Sequence, residues 1–192
     1  MTAIETTQPT TLDEFISGLG LEYSARFVPA SQVPKERKWD TEDKSPVFHW
    51  EITVTRGRTS LVTSYSQGCG HHFPQDFDRK HLGMGSSERT GLDYIRQSAE
   101  TGTKQEHPDR YPYSRYIPLD PPSLKDVLYC LASDSYVLDY GDFETWAQDM
   151  DMDPDSRKAE KTYRDCLSIS LKLNSMLGDA TLTQLRERFQ DY

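Results

Sequence analysis

The sequence predicts an α+β fold, with an N-terminal three-stranded antiparallel sheet and covering helices, then a C-terminal bundle of about four helices. Two-residue alternation is strongest over residues 47–66, where Phe48, Trp50, Ile52 and Val54 share one side of an extended chain. Helical spacing takes over after Pro121, with Leu124, Val127, Leu128 and Leu131 at i, i+3, i+4 and i+7. Between these blocks, His107 to Pro122 holds five prolines and three tyrosines without any period, the composition of a linker. The expected organisation is an α+β subdomain over 1–106, a linker over 107–122 and a helical subdomain over 123–192.

Taken in order, Thr11-Leu-Asp-Glu14 is a capping-box pattern and opens a short helix ending near Gly18 or Gly20. Leu21, Tyr23, Ala25 and Phe27 alternate with polar residues, a strand stopped by Pro29. Residues 31–46 read as a loop. A hairpin follows, its two-residue turn expected at Arg56-Gly57 and pairing Val54 with Thr59; a slip by two residues keeps the same side chains on the same face. Residues 67–86 read as a loop and 87–100 as a helix with Leu92, Ile95 and Ala99 inward.

Beyond the linker, Asp142 is the expected N-cap of a helix whose stripe is Phe143, Trp146, Ala147 and Met150. A long helix is expected from Pro154 to Leu177, capped by Asp153 and stopped by Gly178. Its expected inward stripe is Ala159, Tyr163, Cys166, Leu167, Ser170 and Leu171. Thr181-Leu-Thr-Gln184 reads as a second capping box, opening a last helix with Leu182, Leu185 and Phe189 on one side.

Hydrophobic content is 35%, low for a compact chain, and 11 tyrosines with three tryptophans partly offset it because each ring buries a large apolar area. No run of eighteen apolar residues and no apolar leader occurs, so neither a membrane span nor a standard secretion signal is expected. Three cysteines without a CxxC pair point to a reducing cytosol. Cys130 and Cys166 read as small core residues.

The net charge of −9 is concentrated. From Asp120 to Asp155 there are ten acids and one base, Lys125, while the rest of the chain carries 21 of each sign. Solubility alone does not call for such a cluster. Asp134, Asp139, Asp142, Glu144, Asp149 and Asp151 are the candidate partner-binding acids, expected at helix ends or on polar faces. Tyr111, Tyr113 and Arg115 are further candidates, because tyrosine and arginine are enriched at protein interfaces.

Two constellations suggest metal. Asp149, Asp151, Asp153, Asp155 and Glu160 fall at positions 1, 3, 5, 7 and 12 of a twelve-residue calcium loop. Position 6 of such a loop needs a positive φ, and Pro154 is locked near −65°. Cys69, His71, His72 and His81 offer zinc ligands at a spacing that matches no common zinc motif. A metal-regulated binding protein with a calcium or zinc helix–loop–helix switch is therefore the alternative reading, and no cofactor or metal ligand is assigned. No nucleophile, base and oxyanion donor converge in a motif, so an enzyme is not expected.

The helical block Leu124-Lys-Asp-Val-Leu-Tyr-Cys-Leu-Ala-Ser-Asp134, with Phe143-Glu-Thr-Trp-Ala147 and Asp153-Pro-Asp-Ser-Arg-Lys-Ala159, resembles small proteins of bacteriophages and plasmids. Among them it is similar to anti-CRISPR proteins, in particular the C-terminal part of a type V inhibitor family, over about residues 121–175. The resemblance implies a non-enzymatic inhibitor in the host bacterial cytoplasm whose partner is a CRISPR-Cas effector protein. An acidic surface mimicking nucleic acid fits that role, with neither direct nucleic-acid binding nor membrane association expected.

Overall fold

A computed structural model describes residues 11–33, 47–68, 97–103 and 119–190. Helix α1 (Leu12–Gly18) precedes strands β1 (Glu22–Val28), β2 (Val47–Arg56) and β3 (Thr59–Gly68). Helices α2 (Leu124–Asp134), α3 (Phe143–Asp149), α4 (Arg157–Leu177) and α5 (Asp179–Gln190) follow, with a 3-10 segment, Ser135–Asp139, between α2 and α3. Residues 97–101 are also helical. The fold is α+β: one antiparallel sheet in the order β1-β2-β3, and helices gathered mostly in the C-terminal half.

The strand register can be read from side chains on the polar face. Arg26 donates to Glu51 Oε1 at 3.0 and 3.1 Å, and Thr55 Oγ1 donates to Glu22 Oε2 at 3.5 Å, so both pairs belong to one antiparallel register of β1 on β2. His49 Nδ1 lies 2.9 Å from Ser66 Oγ, which sets β2 on β3. The turn is Gly57-Arg58 rather than Arg56-Gly57, so Val54 lies opposite Leu61 instead of Thr59. Glycine supplies the reason. Gly57 has φ +60°, and the first central position of a tight hairpin turn demands that conformation. The two-residue shift preserves the faces: Phe48, Trp50, Ile52, Val54 and Leu61 are buried while Val62 is 54% exposed.

By contacts the chain forms two units. One comprises Met1–Tyr23, Thr53–Leu61 and Pro122–Tyr192; the other comprises Ser24–Ile52 and Val62–Pro121. Helix α1 and the hairpin tip are thus grouped with α2–α5. In the second unit, Phe27 packs edge-on to Trp50 at 5.3 Å, and Phe48 and Ala99 form a small buried cluster joined by Phe27, Ala30 and Leu119. Gly102 (φ +68°) closes the helix over Phe27, whose Cδ1 lies 2.8 Å from where a Cβ would stand.

In the first unit α4 packs against the 3-10 segment, α5, α2 and α3. Its buried residues are Ala159, Ser170, Leu173, Met176 and Leu177. Leu171, expected inward, is 54% exposed. At 100° per residue it lies on the opposite side from the stripe that Leu173 and Leu177 continue. Arg56 from the hairpin tip donates to the carbonyl oxygens of Met176 and Leu177, at 2.6 and 3.5 Å, satisfying the end of α4 before Gly178 (φ +84°) breaks it.

Several helix ends match the sequence. Thr11 and Glu14 form a reciprocal capping box, and Asp142 caps α3. Two do not. Helix α4 starts at Arg157 with Ser156 as its cap, because Asp153-Pro154-Asp155-Ser156 closes a turn of its own: Ser156 N–H donates to Asp153 O at 3.0 Å. Proline's fixed φ suits the second position of that turn, and the Asp153 carboxylate accepts from Asp155 N–H at 3.0 Å. Helix α5 begins directly after Gly178, since Leu182 N–H donates to Gly178 O at 3.0 Å, so Thr181 lies inside the helix rather than capping it.

Candidate interaction surface

Residues 126–156 contain nine acids and no Lys, Arg or His. Their structural setting sorts these acids into distinct jobs. Asp126 closes a capping box with Ser123 at the start of α2. Asp134 keeps an exposed edge at the end of α2, yet the surrounding protein displaces enough water to hold its carboxyl above the usual carboxylate range.

Asp139 is tied into the fold. Arg186 of α5 reaches the 3-10 segment and places Nη1 3.0 Å from both Asp139 oxygens, while Nε donates to Ser135 Oγ at 2.8 Å and Nη2 donates to Ser135 O. Its guanidinium also lies 4.8 Å from the centre of the Tyr136 ring. The Arg186 side chain is only 11% exposed, against 55% for Asp139. Asp139 therefore compensates a nearly buried cation, a structural role that a dispensable surface acid does not have. The sequence carried a sign of this. Arg186 occupies a slot of the Leu182–Leu185–Phe189 stripe, where a charge needs a partner.

Asp142 accepts from Thr145 N–H at 2.8 Å and from Thr145 Oγ1 at 3.0 Å, and these bonds hold its carboxyl below the usual range. Glu144 is exposed in the first turn of α3. Asp149, exposed at the end of α3, accepts from the Tyr140 hydroxyl, and that bond raises the phenol's pKa. Asp151 ends the helix. Its φ is +52°, its N–H donates to Gln148 O at 3.1 Å, and Met152 N–H donates to Ala147 O at 2.8 Å. This is a Schellman closure, with Asp in the place glycine usually takes. Met152 folds back onto the cluster of Val137, Trp146 and Ala147, and Met150, expected on the inward stripe, is instead 45% exposed because α3 stops at Asp149.

Under this acidic rim lies an aromatic core. Trp146 is buried, its ring 5.2 Å from Tyr163 and 6.3 Å from Phe143. Cys166 packs at its edge, where burial first, then Asp134 and Asp165, pushes the thiol up to about 11. Cys130 is exposed rather than core, though desolvation and then Asp134 and Asp126 raise its thiol as well. Neither thiol is activated as a nucleophile.

The calcium-loop spacing does not produce a calcium loop. Asp149, Asp151 and Asp153 belong in turn to a tyrosine bond, a helix closure and a β-turn. Among the described residues no group of three or more His, Cys, Asp or Glu is placed to hold a metal ion. Cys69, His71, His72 and His81 lie outside the described residues, as do Tyr111, Tyr113 and Arg115. No described helix is long and apolar enough to cross a membrane. No family model, curated protein or solved structure matches the chain.

Proposed function

We propose that this chain is a non-enzymatic binding protein of the bacterial cytoplasm that inhibits a CRISPR-Cas effector. It occupies, through the acidic segment 142–155, a basic surface the effector uses for nucleic acid. The observation that carries the reading is local: Asp142, Glu144, Asp149, Asp151, Asp153 and Asp155 are all exposed in a stretch without one cation. Such a field steers a basic partner toward contact and competes with phosphate. The choice of effector rests on the resemblance of residues 121–175 to anti-CRISPR proteins.

The test is association of the purified chain with CRISPR-Cas effectors across a salt series. Binding is expected to weaken steeply as salt rises. A Glu144→Gln, Asp151→Asn, Asp155→Asn variant should slow association, while its stability stays within about 0.5 kcal/mol of the parent because all three sites are exposed and Asn tolerates the left-handed conformation of residue 151. Absence of salt-sensitive binding to any effector defeats the reading.

A further inference from the structure

The outer arc of α4 carries charge opposite in sign to the segment that precedes it. Arg157, Lys158, Lys161, Arg164 and Lys172 are exposed, and helical geometry sets them on one side of the rod. Two carboxylates share the arc, Asp165 paired with Lys161 at 3.0 Å and Glu160 paired with Arg164, leaving a net of +3. Among the described residues, Arg157, Lys158 and Lys172 have no carboxylate in ion-pair range. Arg157 and Lys158 also stand in the first turn of α4, where the helix dipole disfavours cations. Helix stability therefore does not account for them.

We propose that this arc docks the 142–155 segment of a second copy of the chain, forming a two-fold dimer. The arc from Arg157 to Lys172 rises about 22 Å, long enough to face α3 and its following turns. Because the acidic segment runs directly into α4 and α3 packs on it, the two patches adjoin on one chain. A two-fold axis then matches each patch with its opposite reciprocally. The whole-chain charge of −9 repels a second copy at long range, so the association is weak and depends on contact between the patches. The inference stands without the effector reading, although the dimer hides the same carboxylates.

Sedimentation equilibrium of the full chain, at concentrations up to ~1 mM where weak association is visible, tests it. The average mass should rise toward two chains at ~0.1 M salt, with a screening length of ~10 Å, and return to one chain at ~1 M, where that length is ~3 Å. A base-reversed variant (Arg157→Glu, Lys158→Glu, Lys172→Glu) and an acid-reversed variant (Glu144→Lys, Asp149→Lys, Asp153→Lys, Asp155→Lys), which turns six carboxylates into four lysines against two acids, should each be monomeric alone. Mixed, they should associate again. The base-reversed chain gains acids at a helix N-terminus, so it should keep its helical circular dichroism. A wild type that stays monomeric at ~0.1 M salt, a dimer that survives either reversal, or a mixture that fails to associate overturns the proposal.

Discussion

Residues 126–142 and 144–155 carry nearly the same acidic load, four carboxylates against five, yet the fold treats them differently. In the first stretch Asp126 and Asp142 cap helices and Asp139 compensates Arg186. In the second, Glu144 and Asp155 project into solvent, Asp149 and Asp153 each accept one exposed hydrogen bond, from the Tyr140 hydroxyl and from Asp155 N–H, and Asp151 is held by its backbone conformation. The difference teaches that charge density marks a surface without saying which charges are available to a partner. Availability depends on what each carboxylate already satisfies.

The largest effect should come from the core on which both stretches rest. Trp146→Ala is expected to cost about 3–5 kcal/mol, since the indole is buried among Phe143, Tyr163 and Met152 and the cavity cannot fully collapse. Denaturant unfolding measures it. A variant as stable as its parent means that the two stretches do not share this core.

Arg186→Ala should come next, at about 2–3 kcal/mol, because it strips charge-assisted bonds from Ser135 and leaves Asp139 without its cation. Asp139→Asn should cost only about 1 kcal/mol, because the carboxylate is more than half exposed and water screens the pair. If Asp139→Asn and Glu144→Gln prove equally silent in thermal melts, the distinction between the stretches fails at its clearest point.

Asp151 sharpens the comparison from the other side. Asp151→Val should cost about 1–2 kcal/mol, since a β-branched residue resists φ near +52°, whereas Asp151→Gly should be neutral or stabilising. Paired melts of the two variants decide whether backbone conformation, and not charge, is what position 151 contributes.

The smallest expected effect is a change of slope with pH. The Asp142 carboxyl is held below its unfolded value of about 3.9. Its contribution is therefore full above that value and is lost as pH falls through the lower, folded value. Asp142→Asn keeps a capping oxygen and should flatten this part of the acid limb while leaving the neutral melt little changed. An unaltered acid limb removes Asp142 from the set of fold-committed acids.

What the sequence by itself determined was written in local chemistry. Periods of two and 3.6 marked β2, β3 and α2; Thr11 and Asp142 marked helix starts; Gly178 marked a stop. Each of these depends on residues within a few positions of one another, so spacing was sufficient. The hairpin turn, the start of α4 and the fate of Leu171 were decided among local alternatives of similar energy. Gly57 took the position needing positive φ, Ser156 offered a cap after Pro154 had closed a turn, and packing of Leu173 and Leu177 chose the buried side of α4. Only the tertiary structure joined Arg186 to Asp139 across 47 residues and Arg56 to the end of α4. Nothing in a local window encodes such pairs, because their energy arises when distant segments exclude water from a shared polar group.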